Sequence, residues 1–187
     1  MPPSTASTLF RAVAGLWPWG SDTIKTPPLE DMTFMPQRPY LPLGTLRYAL
    51  SYPAATTEFS NDSFRAALTR CGLEKLVDIL DQDVRWDKEL SLGEQQRLAF
   101  ARLILHKPLW IFLDEATAAL DQDSQHQVMT LFDDELKDTT VLSIGNRPDL
   151  ATYHTRTLQL IHDVHGERLR IKRPTPVRAP SSSRRLA

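Results

Sequence analysis

Two runs of the chain are predominantly apolar. "LWIFLDE" at 109–115 and "TTVLSIG" at 139–145 lack the polar alternation of a half-solvated strand. Such runs predict strands of a parallel sheet, buried on both faces. "DMTFMPQ" predicts a shorter strand ending at Pro36. Elsewhere the spacing is helical. Residues 7–14 predict a helix with Gly15 as its C-cap. "NDSFRAALTRCG" predicts a second, with polar N-cap candidates and Gly72 as its stop, and "LEKLVDIL" a third. "LSLGEQQRLAFARLILHKP" predicts a helix ended by Pro108. It is apolar on most sides from Leu98 to Leu105, which predicts burial. "DQDSQHQVMTLFDDEL" predicts the next helix, with Asp121 as N-cap. "TRTLQLIH" and "ERLRIKR" alternate and predict a terminal hairpin with "HDVHG" as its turn. Strands and helices in alternation around apolar strands predict an α/β fold with a parallel sheet.

The 187 residues suffice for one domain with a core. A hydrophobic content of 41% and a charged content of 24% fit a globular chain. The net charge of −1 gives no overall attraction for nucleic acid, so no nucleic-acid partner is expected. The charge is uneven: seven basic residues and no acid lie between Arg168 and Ala187. Residues 174–187 are Pro, Ser and Arg rich, which predicts a disordered basic tail. Cys71 is the single cysteine, which excludes an intrachain disulfide and a Cys-based zinc site. His162 and His165 are close, but "HDVHG" reads as a hairpin turn, and a metal site is not expected there. No apolar run reaches the ~18 residues needed to cross a bilayer. The expected location is cytoplasmic, at a membrane only through a partner.

Two stretches carry chemistry. "LWIFLDEATAALD" sets Asp114 and Glu115 at the C-terminal end of a buried strand, where ligand sites of α/β folds form. Phosphoryl transfer needs a carboxylate near Mg²⁺ and a group that orients the attacking water. Two adjacent acids could divide those roles, or could simply lead into a solvated loop. "LSLGEQQRLAFARL" puts Ser91 and Gly93 at a helix N-terminus, where a hydroxyl, free N–H groups and the positive helix end can meet an anion. The local alternative is a plain helix cap with Glu94 in the first turn.

The pair resembles the ATP-binding cassette (ABC) family. "LSLGEQQR" stands about twenty residues before "FLDEATAALD", matching the order and spacing of the family's signature and Walker B motifs. "MPQRPYLPLGTLR" looks like the Q-loop, with Gln37; "ALD" at 119–121 looks like the D-loop; "VLSIGNRPDL" sits where the family has its H-loop. The resemblance runs from about Ser7 to about Ile171. "AGLWPWGSDTI", "PQRPYLPLGTLRYALSYP" and "LSLGEQQRLAFARL" look like one bacterial transporter group. That group imports vitamin B12, bleomycin and antimicrobial peptides and is similar to peroxisomal fatty-acyl transporters.

The resemblance implies a P-loop NTPase-like parallel sheet core with a helical subdomain over about 44–105, lacking the N-terminal strands, within an ATPase domain over 1–173. It implies ATP and Mg²⁺ as cofactors. Asp114, Ser7 and Gln37 would hold Mg²⁺, Glu115 would polarise the attacking water, and Asp121 and Thr8 would lie beside the nucleotide. Ser91, Gly93 and Glu94 would meet the γ-phosphate held by a second ATPase domain in a head-to-tail dimer. Gln37 would couple to a transmembrane domain.

The chain also departs from the family. The family's phosphate loop reads G-x-x-G-x-G-K-[ST]-T. Aligned on Ser7 and Thr8, its lysine falls on Ala6, its nearer glycines on Thr5 and Pro3, and its first glycine before Met1. Alanine brings no charge to the phosphates, and proline brings no N–H. The H-loop histidine falls on Asn146, and Leu92 and Glu94 replace a glycine and a glutamine of the signature. Trp17 and Trp19 follow the loop helix and are expected in the core or against a membrane domain. Two functions stay open: an ATP-binding subunit or fragment of an ABC transporter with impaired catalysis of its own, or a non-catalytic remnant or accessory subunit that supplies only the signature motif to a partner site.

Overall fold

The computed structural model describes residues 5–19, 23–145, 147–163 and 166–172. The chain forms two compact units, Met1–Asn146 and Arg147–Ala187. The first opens with helix α1, Thr5–Val13. Gly15 adopts φ +72°, and the N–H groups of Gly15 and Leu16 reach back to Ala12 and Arg11 at 3.0 and 2.8 Å. This left-handed stop is the one that "AVAGL" predicts. Strand β1, Met32–Met35, follows.

A short pair, β2 (Gly44–Thr45) and β3 (Asp83–Val84), brackets a helical layer. Within it lie α2, Leu46–Ser51, and α3, Asn61–Arg70, capped by the Ser60 hydroxyl. Helix α4, Trp86–Glu89, is a single turn whose indole N–H donates to the Gly44 carbonyl at 3.0 Å. Helix α5, Leu92–His106, ends on Lys107 in the left-handed region, one residue before Pro108. Helices α2 and α3 both pack on α5 through the fully buried Leu46, Leu50, Phe64, Leu68, Leu98 and Phe100.

Strand β4, Trp110–Asp114, helix α6, Gln122–Met129, and strand β5, Thr140–Ile144, complete the unit. The three strands form a parallel sheet in the order β1-β4-β5, with Phe34 opposite Phe112 and Asp114 opposite Ile144. Alternation along β4 sends Trp110, Phe112 and Asp114 to one face and Ile111 and Leu113 to the other. Phe112 stacks on Phe34 at 4.6 Å and meets the edge of Phe10 from α1 at 5.3 Å. Met32, Val13, Leu142 and Ile144 close this cluster.

Two segments differ from the helical expectation. "LEKLVDIL" is a 3-10 turn over Glu74–Ile79, not an α-helix. Leu73 and Leu76 are both buried at a spacing of three, which suits the 3-10 repeat. Helix α6 stops at Met129 and continues as a 3-10 turn, Thr130–Asp133. The Gln127 carbonyl, which would continue the α ladder, accepts instead from the Thr130 hydroxyl at 2.8 Å and from Arg70 at 3.3 Å.

In the second unit, β6 (Thr157–Asp163) and β7 (Gly166–Lys172) pair antiparallel, with Asp163 opposite Gly166. The hairpin forms where alternation predicts it; His165 and the tail over 174–187 lie outside the described residues.

Two outcomes follow from this packing. Phe112→Ala removes the ring that both neighbours touch, and should cost about 3–5 kcal/mol in urea unfolding. His106 and His154 both have pKa values lowered by burial, His106 also by Arg102. Folded imidazoles therefore stay neutral where unfolded ones take up protons. Stability contributed at neutral pH is lost as pH falls below the unfolded value of about 6.5. Urea midpoints should be lower at pH 5.5 than at pH 7.5, with a shallower dependence in His106→Leu.

Candidate functional site

Ser7 lies in the first turn of α1 and Asp114 ends β4, yet the Ser7 hydroxyl donates to Asp114 Oδ1 at 2.9 Å. The contact follows from the core. Phe10 sits over Phe112, and the residues one helical turn back and one strand period on meet at the sheet's end. Thr8 is half-buried beside Ser7. Glu115 turns the chain out of β4 with φ +51°, a left-handed conformation rare for a branchless acid in a loop without glycine. Its N–H still donates to the Ile144 carbonyl at 2.9 Å, as the last rung of the ladder with β5.

Gln37 is exposed just beyond β1. Its backbone carbonyl accepts from Gln96 Nε2 at 2.8 Å. Ser91 caps α5 in a reciprocal box: Glu94 N–H donates to the Ser91 hydroxyl oxygen at 3.3 Å, and Ser91 N–H donates to Glu94 Oε2 at 2.8 Å. The Ser91 hydroxyl also donates to Glu94 Oε2, at 2.7 Å. Lys75 pairs with the other Glu94 oxygen. Its ammonium, then the Ser91 donors, hold the Glu94 carboxyl down at about 2. A Cβ on Gly93 would stand 3.0 Å from the Ala119 carbonyl oxygen, so α5 touches the 115–121 loop directly there. Asp121 caps α6, accepting from Ser124 N–H at 2.7 Å, and that bond lowers its pKa. Asn146 lies outside the described residues.

The structure thus brings Ser7, Asp114 and Glu115 to one end of the sheet, and Gly93 to the loop that leads into Asp121. Sequence reasoning missed Gln96 and Lys75. Gln96 was detectable in principle, as the polar residue one turn before Phe100 on the buried stripe of α5. Lys75 carries no local signal. Among the described residues no group of three or more His, Cys, Asp or Glu is placed to hold a metal ion. Burial pushes the Cys71 thiol up to about 12, which keeps it unreactive. No helix of the described residues is long and apolar enough to cross a membrane.

The chain is similar to known proteins in both sequence and fold. The ABC transporter family model matches residues 6–118, which takes in α1, the Q-loop, the signature and β4. An ABC transporter ATP-binding protein of Haemophilus influenzae is 43% identical over 154 residues, 82% of this chain and 26% of the relative. One from Synechocystis is 42% identical over 160 residues, 84% of this chain and 24% of the relative. ABC transporter D family member 1 of Arabidopsis thaliana is 36% identical over 173 residues, 84% of this chain and 12% of the relative. The chain therefore spans about a quarter or less of these relatives. A bacterial Atm1-family ABC exporter with ATP bound shares the fold over 83% of this chain and 30% of its own, with a TM-score of 0.69 and 24% identity. With the matched region covering more than half of its length and carrying Q-loop, signature and Walker B in that order, the chain belongs to the ABC transporter family, in its ATP-binding domain.

Proposed function

We propose that this chain serves an ABC transporter as an ATP-binding domain whose own phosphate loop is idle, and whose signature motif completes the site of a partner ATPase domain. The observation that carries this is a contrast on α1. Ser7 is bonded to Asp114 at 2.9 Å, while the neighbouring lysine position holds Ala6. A serine hydroxyl beside an aspartate is a hard oxygen pair that suits Mg²⁺, directly or through water. Ser7, Asp114 and Gln37 would hold the ion, and bound Mg²⁺ would neutralise phosphate charge. The triphosphate fits less well, because the position aligned with the family's phosphate-binding lysine is Ala6, which brings no charge.

The signature end supports the second half of the proposal. Ser91 is the N-cap of α5 and Gly93 lies in its first turn, at a helix start whose free N–H groups and dipole suit an anion. A transmembrane partner is supported by the surface beyond Gln37, where Tyr40 and Leu43 are 63% and 70% exposed. Singly exposed apolar residues are ordinary, but these two flank the family's coupling loop. In this reading residues 1–173 act as one ATPase domain, with 44–105 as its helical subdomain.

The test is phosphate release by the purified chain with Mg²⁺ and ATP. Turnover should not exceed that of the Glu115→Gln control. Catalysis of phosphoryl transfer rests on positioning and charge stabilisation, and loss of one preorganised donor typically costs about 10²–10³ in rate. Turnover on the order of 1 s⁻¹ that vanishes in Glu115→Gln would overturn the idle-loop half. For the partner half, Ser91→Arg should lower the turnover that this chain stimulates in an ABC ATPase domain with an intact phosphate loop. The absence of stimulation by the unmodified chain counts against it.

A further inference from the structure

We infer that Gln96 is a positioning residue that couples the loop after β1, at Gln37, to the loop after β4, at Ala119, so that the two loops shift together. Gln96 is fully buried. Its Nε2 donates to the Gln37 carbonyl at 2.8 Å, and its Oε1 accepts from the Ala119 N–H at 3.1 Å. The two partners lie 59 and 23 residues away along the chain. No regular ladder joins these loops, and the amide is a direct bridge between their backbones.

The chemistry fixes the direction of the bridge. A primary amide presents a donor on one side and an acceptor on the other. Flipping Gln96 would set NH₂ against the Ala119 N–H and oxygen against the Gln37 carbonyl. Displacing either loop alone leaves a buried polar group without a partner, which is the costly case for a hydrogen bond. Gly93 tightens the same junction. It lies one turn earlier on α5, and its α-carbon packs so closely on the Ala119 carbonyl that a Cβ would stand 3.0 Å away. Helix α5 therefore holds Ala119 by its N–H and crowds it at its C=O. Ala119 is two residues from Asp121, the cap of α6.

What the coupling would transmit rests on the proposed function: events at Ser91 and Gly93 would be felt at Gln37. The coupling itself is a property of the ligand-free chain and is tested there, so its failure is separable from failure of that reading. Amide hydrogen exchange of the full chain by NMR is the measurement. Pro36→Gly loosens the first loop just ahead of Gln37. It should lower protection of the Ala119 amide by roughly two- to fivefold, the range expected when a proline restraint is released. The β4 amides of Ile111 to Leu113 should keep their protection. Gln96→Met, of similar length and without hydrogen bonds, should lower Ala119 protection roughly tenfold or more. In that background Pro36→Gly should add nothing at Ala119. A merely structural glutamine would give the two effects in full and additively. Additive effects, or an Ala119 amide unmoved by Pro36→Gly while the Arg38 amide responds, would overturn the inference. Should Gln96→Met fail to fold, the Pro36→Gly arm alone decides, because it needs only the native glutamine.

Discussion

Strand β4 has to be buried on both faces and bonded on both edges, and that requirement places the chemistry of the first unit. Four of its five residues pair with β1 on one side, and all five pair with β5 on the other. A strand so enclosed can carry polar groups only where it leaves the sheet, which is where Asp114 and Glu115 stand. Side-chain alternation then puts Asp114 on the face of Phe112. The helix that covers Phe112 with Phe10 must bring whatever lies one turn earlier to Asp114. That residue is Ser7, and the 2.9 Å bond follows. The hydroxyl–carboxylate pair is thus a product of core packing.

Glu115 shows the same end of the strand under strain. Its N–H completes the ladder with Ile144, and its φ of +51° then turns the chain away. The left-handed conformation costs an L-residue about 1–2 kcal/mol that a glycine would avoid. Strained residues of this kind concentrate at functional sites.

Much of this was legible in the sequence because the decisive signals are local. Predominantly apolar runs mark β4 and β5, Gly15 and Gly72 stop α1 and α3, and Asp121 starts α6. The family's motifs singled out Ser7 and Asp114, which the fold brings into contact, and Ser91 and Gly93, which lie at the start of α5. What stayed hidden depends on partners distant in sequence. Helix α6 ends early because Arg70, on α3, takes the Gln127 carbonyl. The turn of α4 exists because Trp86 reaches Gly44. The role of Gln96 depends on two backbone groups in loops whose mutual position no periodicity records.

The signature end completes the contrast with α1. Ser91 gives both its N–H and its hydroxyl hydrogen to Glu94, and Lys75 cancels the Glu94 charge. The positive end of α5 is therefore satisfied internally, with a carboxylate and an ammonium in balance. Because the Glu94 carboxyl is held at about 2, this arrangement is fully charged throughout the neutral range and weakens only in strong acid. This cap draws on no residue of α1, so the two halves, α1 with Asp114 and α5 with its cap, are set independently. Each half draws its geometry from a different part of the core: α1 from Phe112, and α5 from the layer it forms with α2 and α3.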